Sequence, residues 1–157
     1  MTQLPFNLTY PIPVKGDPGY FGTVRKYDVH TGIDLYCGPY QPVYAIESGV
    51  VVKIDDFTGP SAGSPWWNDT KAVLIESKSG VIVYGEIAPF IDIEVGSEVL
   101  EGDFIGNVVP VLKKRKGDIP PYMLHLELMM HGCYDTLVWE SGTPKPGCLL
   151  NPIELIK

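Results

Sequence analysis

Three histidines, at positions 30, 125 and 131, are all the imidazole the chain offers, so any chemistry built on that group uses very few residues. The first candidate is His30-Thr-Gly-Ile-Asp34, an H-x-x-x-D pair whose nitrogen and carboxylate are both metal donors. On an extended strand the two side chains share a face but stand roughly 13 Å apart. They reach one ion only if the backbone bends between them, and Gly32 permits such a bend. The second candidate is Met123-Leu-His125-Leu-Glu127-Leu-Met129. Period-two alternation puts Met123, His125, Glu127 and Met129 on one face and the three leucines on the other, which reads as core. Singly, each histidine also suits a hydrogen-bonded structural role. Together, His30, Asp34 and His125 form a His₂Asp set, and three protein ligands with an open fourth position are the pattern of a catalytic zinc. Zinc there would lower the pKa of a bound water toward ~7 and polarise a substrate carbonyl. His131, next to Gly132, reads as a turn or surface residue.

The elements that must position these residues are strands. The stretch 43–54 is rich in β-branched residues and broken at Gly49. Runs at 72–76 and 81–87 flank Ser77-Lys-Ser-Gly80, a hairpin with a four-residue turn. Further strands are expected at 103–112 and 122–130. No sustained 3.6-residue apolar stripe is present, and 17 glycines and 15 prolines make many turns, so the expected class is all-β. Segments 55–70, 113–121 and 141–147 read as loops. The first carries Trp66-Trp67, suited to stacking on a sugar, covering a groove or anchoring the loop; the second is basic, Lys113-Lys-Arg-Lys116, and reads as solvated.

At 157 residues, 45% hydrophobic and 20% charged, the chain reads as one soluble globular domain spanning 1–157. A net charge of −7 argues against nucleic acid or an anionic membrane as partner. The N-terminus has no signal-peptide pattern and no stretch is long enough to span a bilayer, so the expected location is cytoplasmic unless another route exports the chain. Cys37, Cys133 and Cys148 are odd in number and lack C-x-x-C spacing. They read as buried small side chains, with neither a disulfide framework nor a cysteine zinc site.

The order of these motifs resembles the lysostaphin-type (LytM-like) peptidoglycan metallo-endopeptidases over nearly the whole chain. The resemblance rests on Phe21-Gly-Thr-Val-Arg25 ahead of His30-Thr-Gly-Ile-Asp34, then Gly38 and Pro42-Val-Tyr-Ala-Ile-Glu-Ser-Gly-Val-Val. It continues through Val83-Tyr84-Gly-Glu86-Ile, Val95-Gly-Ser-Glu-Val-Leu-Glu-Gly-Asp103-Phe-Ile-Gly106, Leu124-His125-Leu-Glu127-Leu128 and Asn151-Pro-Ile-Glu-Leu. It implies an antiparallel β sandwich or barrel-like core, of the duplicated hybrid motif type, with long loops around a groove. It also implies zinc held by His30, Asp34 and His125, and a peptide or peptidoglycan fragment as substrate.

Two positions depart from that pattern. The family usually carries an assisting histidine where this chain has Met123, and another where it has Glu86. Glu86 then acts as general base, or enters the coordination sphere as an extra ligand, or is a solvated residue of a binding domain without turnover. Tyr84 and Tyr122 suit either donation to an oxyanion or aromatic packing, and Glu127 suits either support of His125 or a structural hydrogen bond. A carrier or phosphotransfer module shares the glycine rhythm around 96–103, but no lysine turn and no histidine beside the middle strand support it.

Overall fold

The computed structural model describes residues 3–26, 28–114, 117 and 120–156. Among these residues eleven strands follow in order: β1 (Asp28–Val29), β2 (Ile33–Tyr36), β3 (Pro42–Tyr44), β4 (Gly49–Thr58), β5 (Thr70–Ser77), β6 (Gly80–Pro89), β7 (Glu98–Val99), β8 (Phe104–Val108), β9 (Met123–Met129), β10 (Trp139–Glu140) and β11 (Leu149–Leu150). The only helical pieces among the described residues are two 3₁₀ turns, Pro60–Ala62 and Pro152–Leu155. No described helix is long and apolar enough to cross a membrane. The expected all-β antiparallel architecture is the one observed.

Nine strands form one antiparallel sheet along the order β11-β9-β6-β5-β4-β7, with β2 on the other side of β9 from β6 and with β8 joining β3 to β6. The remaining two, β1 and β10, pair with each other. Val81-Ile-Val-Tyr84 is an unbroken apolar run because both faces of this strand are covered. Ile82 and Tyr84 enter the larger core, with Val73, Ile75 and Leu124, Leu126 and Leu128. Val81 and Val83 enter a second cluster on the other face, with Leu74 and Met129. The leucine face of β9 is thus core, as its alternation requires.

Some boundaries differ from the sequence reading. Strand β4 continues through residues 55–58, which read as loop, because Asp55, Asp56 and Thr58 pair with Ala72, Lys71 and Thr70. The charged side chains are tolerated at the exposed surface, where Lys71 Nζ meets Asp56 Oδ1 at 2.6 Å. The β5–β6 turn is tighter than four residues: Ser77 already pairs with Gly80, and Glu47 braces the turn through the Ser79 N–H and hydroxyl. Strand β8 stops at Val108 rather than 112, since Pro110 has no N–H for a ladder and its carbonyl accepts instead from Asn68. Of the basic run, Arg115 and Lys116 lie outside the described residues, and the Lys113 ammonium donates to the Pro65 carbonyl.

The cysteine reading is overturned. Cys133 and Cys148 form a disulfide, and only Cys37 is free and buried. Their spacing gave no sign of it because the pairing is a long-range event: Leu149 of β11 lies opposite Met129 of β9, and the Met130 N–H donates to the Cys148 carbonyl. Burial pushes the Cys37 thiol up to about 12, so it remains an inert core side chain.

Candidate metal centre and groove

The site is built on a strip of three strands. β9 runs between β2 and β6, with Asp34 and Gly85 both opposite His125 and with Tyr36 opposite Met123. Ile33 and Leu35 of β2 point to the core, so Asp34 and Tyr36 take the other face with His125 and Met123. The chain bends between Val29 and Ile33, and this brings His30 onto the same strip. Gly32 serves there in a different way than expected. Its backbone is not left-handed; a Cβ would stand 2.4 Å from the Leu126 carbonyl and 2.9 Å from His125 Nε2. Glycine is required for close approach rather than for the bend.

His30 Nε2, Asp34 Oδ1 and His125 Nδ1 converge. The separations are 3.1 Å from His30 to Asp34, 3.0 Å from His125 to Asp34 and 3.3 Å between the two imidazoles. The other nitrogen of each ring is already committed. His30 Nδ1 lies 3.0 Å from the Tyr20 carbonyl, and His125 Nε2 lies 2.7 Å from Glu127 Oε2. Glu127 is 1% exposed and is held by the Thr31 hydroxyl at 2.8 Å. The second oxygen of Asp34 faces Arg25 Nη2 at 3.7 Å, and the same nitrogen donates to the Pro18 carbonyl. Phe57 of β4 leans on the His125 ring, centroids 5.3 Å apart, across Gly85, where a Cβ would strike it.

The electrostatics follow from this crowding. Burial opposes ionisation of Asp34, but hydrogen bonds from His125 and His30 outweigh it and hold the carboxyl well below its usual range. Burial likewise opposes a charge on His125, yet its bonds to Asp34 and Glu127 raise its pKa well above the ordinary value. Glu86 is pushed up to about 8, first by desolvation and then by repulsion from Asp34. Desolvation and Asp34 also raise the Tyr36 phenol.

Glu86 reaches the groove through a bulge. Lys71 and Val73 of β5 pair with Ile87 and Tyr84 of β6, so β6 carries one extra residue there. Strict alternation would place Glu86 on the Tyr84 side, inside the core. Instead its backbone turns left-handed, φ 65°, and returns Ile87 to the core while the carboxyl lines the groove. Its Oε2 is inaccessible and has no hydrogen-bond partner among the described residues.

The groove occupies about 890 Å³ and is lined by all of His30, Asp34, Glu86, Met123, His125 and Glu127. Trp66 and Trp67 line it too, with Trp66 64% exposed, on a loop pinned by Asn68 to the Pro110 and Leu112 carbonyls. Residues 136–139 of the disulfide-bonded segment add a further wall. Two of the expected candidates lie elsewhere. Tyr84 is fully buried with its hydroxyl accepting the Ile46 N–H, and Tyr122 packs against Tyr40 away from the groove. His131 is at the surface beside Glu76, as read. Arg25, Tyr36 and Phe57 were not singled out from sequence. Tyr36 had a legible signal, standing two residues after Asp34 on one strand, whereas Phe57 lay in a stretch read as loop.

The sequence model of peptidase family M23 matches residues 28–134. No curated protein sequence matches the chain. Among solved structures, the fold is similar to CbpA from L. salivarius REN at 22% identity and TM-score 0.62, covering 99% of this chain and 94% of that one. It is also similar to the catalytic domain of the antimicrobial peptidase lysostaphin from Staphylococcus simulans, at 19% identity and TM-score 0.53, covering 79% of this chain and 86% of that one. A longer chain from Pseudomonas aeruginosa aligns at 19% identity and TM-score 0.51; 99% of this chain is covered, and it spans about half of the other, 53%.

Proposed function

The chain belongs to peptidase family M23, and on that premise we propose that it is a zinc-dependent endopeptidase cleaving a peptide bond of peptidoglycan or of a peptidoglycan fragment. The observation that carries this reading is the convergence of donors at His30, Asp34 and His125, the set within metal-binding reach among the described residues. With the Nδ1–H of His30 given to Tyr20 and the Nε2–H of His125 given to Glu127, the two remaining ring nitrogens present lone pairs. They face each other and a carboxylate oxygen at 3.0, 3.1 and 3.3 Å. Three acceptors in one place are mutually repulsive unless a cation or a proton sits among them. A tetrahedron with metal bonds of about 2.0–2.1 Å has edges of about 3.3 Å, so the donor types and their spacing both fit zinc.

Zinc held by these residues supplies Lewis acidity, which makes water a stronger acid and polarises a peptide carbonyl. The protein's own groups do the rest. Glu127 and Thr31 fix the tautomer and orientation of His125, and Arg25 holds the second oxygen of Asp34. Glu86, on its bulge, takes a proton from the attacking water at the carboxylate oxygen turned to the groove and returns it to the leaving amine as the C–N bond breaks. Desolvation raises the Glu86 carboxyl most and repulsion from Asp34 next; a cation beside Asp34 would offset the second of these and bring the pKa of this base closer to ~7, where proton transfer is most effective.

A zinc-containing binding domain with the same fold and no turnover is the second reading, and Met123 favours it: a thioether beside His125 transfers no proton. Elemental analysis of the purified protein, followed by an assay of amino groups released from peptidoglycan, separates the two. Zinc-dependent release that disappears in His125→Ala supports the endopeptidase. Stoichiometric zinc and retained binding, without release at high protein concentration, support the binding domain. Absence of both zinc and release overturns both.

A further inference from the structure

Hydrolysis of a peptide bond places negative charge on the carbonyl oxygen, and that charge needs a hydrogen-bond donor already in position. Most of the polar groups around the metal centre cannot serve. Glu86 is an acceptor, Met123 donates nothing, the Thr31 hydroxyl is given to Glu127, and Arg25 directs its Nη2 to the Pro18 carbonyl and to Asp34. Tyr36 differs from all of these. It lines the groove from β2, two residues from Asp34 on the same face and directly opposite Met123. It is half-buried, and its hydroxyl has no hydrogen-bond partner among the described residues.

Resting on the endopeptidase reading, we propose that Tyr36 is a catalytic residue whose hydroxyl donates the hydrogen bond that stabilises the oxyanion of the scissile carbonyl. As water oxygen bonds to the carbonyl carbon, the π pair moves onto the carbonyl oxygen. The Tyr36 O–H donates to that oxygen and keeps its proton. When the C–N bond breaks, the pair returns to the carbonyl and the hydrogen bond relaxes. The proton of the water travels through Glu86, so no further reactant is needed.

The test is Tyr36→Phe in the zinc-loaded protein. The hydroxyl bonds to no other group among the described residues, so thermal unfolding should match the wild type while kcat on peptidoglycan falls about 10²-fold with KM little changed. Tyr36→His, which keeps a ring N–H donor at the same strand position, should recover part of the loss. Inorganic phosphate, a tetrahedral oxyanion, provides a readout that needs no turnover. By calorimetry its affinity for the zinc-loaded protein should drop roughly tenfold in the phenylalanine variant, one lost hydrogen bond to a charged group. A kcat within twofold of wild type overturns the proposal. If the wild type shows no cleavage at all, the endopeptidase reading fails, and phosphate decides Tyr36 alone: weakened binding sustains it as the oxyanion donor, unchanged binding removes it.

Discussion

His125 and Glu127 stand two residues apart on one face of β9 and are joined by a 2.7 Å hydrogen bond from Nε2 to Oε2. The bond settles which imidazole nitrogen remains free to face Asp34 and His30. Because Glu127 is buried and its same oxygen accepts from Thr31, the carboxylate cannot swing away. Glu127→Ala should therefore weaken zinc binding about 10–100-fold, as loss of such a supporting carboxylate does elsewhere. Glu127→Gln should lose less, since an amide oxygen still accepts from the ring. Competition against a chromogenic chelator measures both, and an alanine variant with wild-type affinity would show that the ring needs no such support.

Gly32 tests the closeness of the packing beneath the site. A Cβ there meets the Leu126 carbonyl at 2.4 Å, and that oxygen is fixed by the β9 backbone. Gly32→Ala must push His30 and Asp34 away from His125 or distort β9. Overpacking of this kind costs about 1–3 kcal/mol, so urea unfolding should show that loss together with weaker zinc binding. Gly38→Ala is the matched control, with no atom within 4 Å of the built Cβ and no left-handed backbone.

Much of this arrangement is legible in the sequence, and the remainder fails for identifiable reasons. The face of β9 that carries His125 follows from alternation alone, and the His30–Asp34 spacing identifies the bend. Local pattern does not reveal the bulge at Glu86, since alternation assigns that residue to the core and only the register against β5 shows the extra residue. Nor does it reveal Phe57, whose strand runs on through Asp55 and Asp56 because those charges lie at a surface. The disulfide is a consequence of β9 meeting β11, a contact that no spacing rule encodes.

That disulfide bears on the groove as well as on stability. Cys133 and Cys148 are 15 residues apart and close the segment that carries residues 136–139 of the groove wall. A loop of this length constrains the unfolded chain by about 3 kcal/mol. The Cys133→Ser, Cys148→Ser double variant should lose stability of that order in denaturant unfolding. It should also show faster amide exchange across 133–148, where Trp139 packs edge-to-face on Phe21 with centroids 5.8 Å apart. Zinc affinity should change little, because none of the converging donors lies on this segment.

The stability of the metal-free protein should fall as pH rises through the neutral range, and Glu86 should be the main cause. Its carboxyl is raised from 4.5 in the unfolded chain to about 8 in the folded one, first by desolvation and then by Asp34. A group raised on folding contributes stability that is fully present below its unfolded pKa and is lost as pH rises through the folded value. The loss therefore spans pH 4.5 to about 8, with a slope of at most about 1.4 kcal/mol per pH unit for one proton. His125, also raised, adds loss of the same sign above its ordinary 6.5. Glu86→Gln keeps the shape and removes the ionisation, so thermal melts of the chelator-treated variant should be flatter between pH 5 and 8 and higher at pH 8. Zinc should reverse the trend in the wild type. Ring nitrogens hold a metal only when deprotonated, so protons would compete with it less as pH rises, and the shift in Tm on adding zinc should grow from pH 5 to pH 8. A pH-independent melt of the metal-free wild type would mean that the Glu86 carboxyl is solvated in solution rather than buried on its bulge.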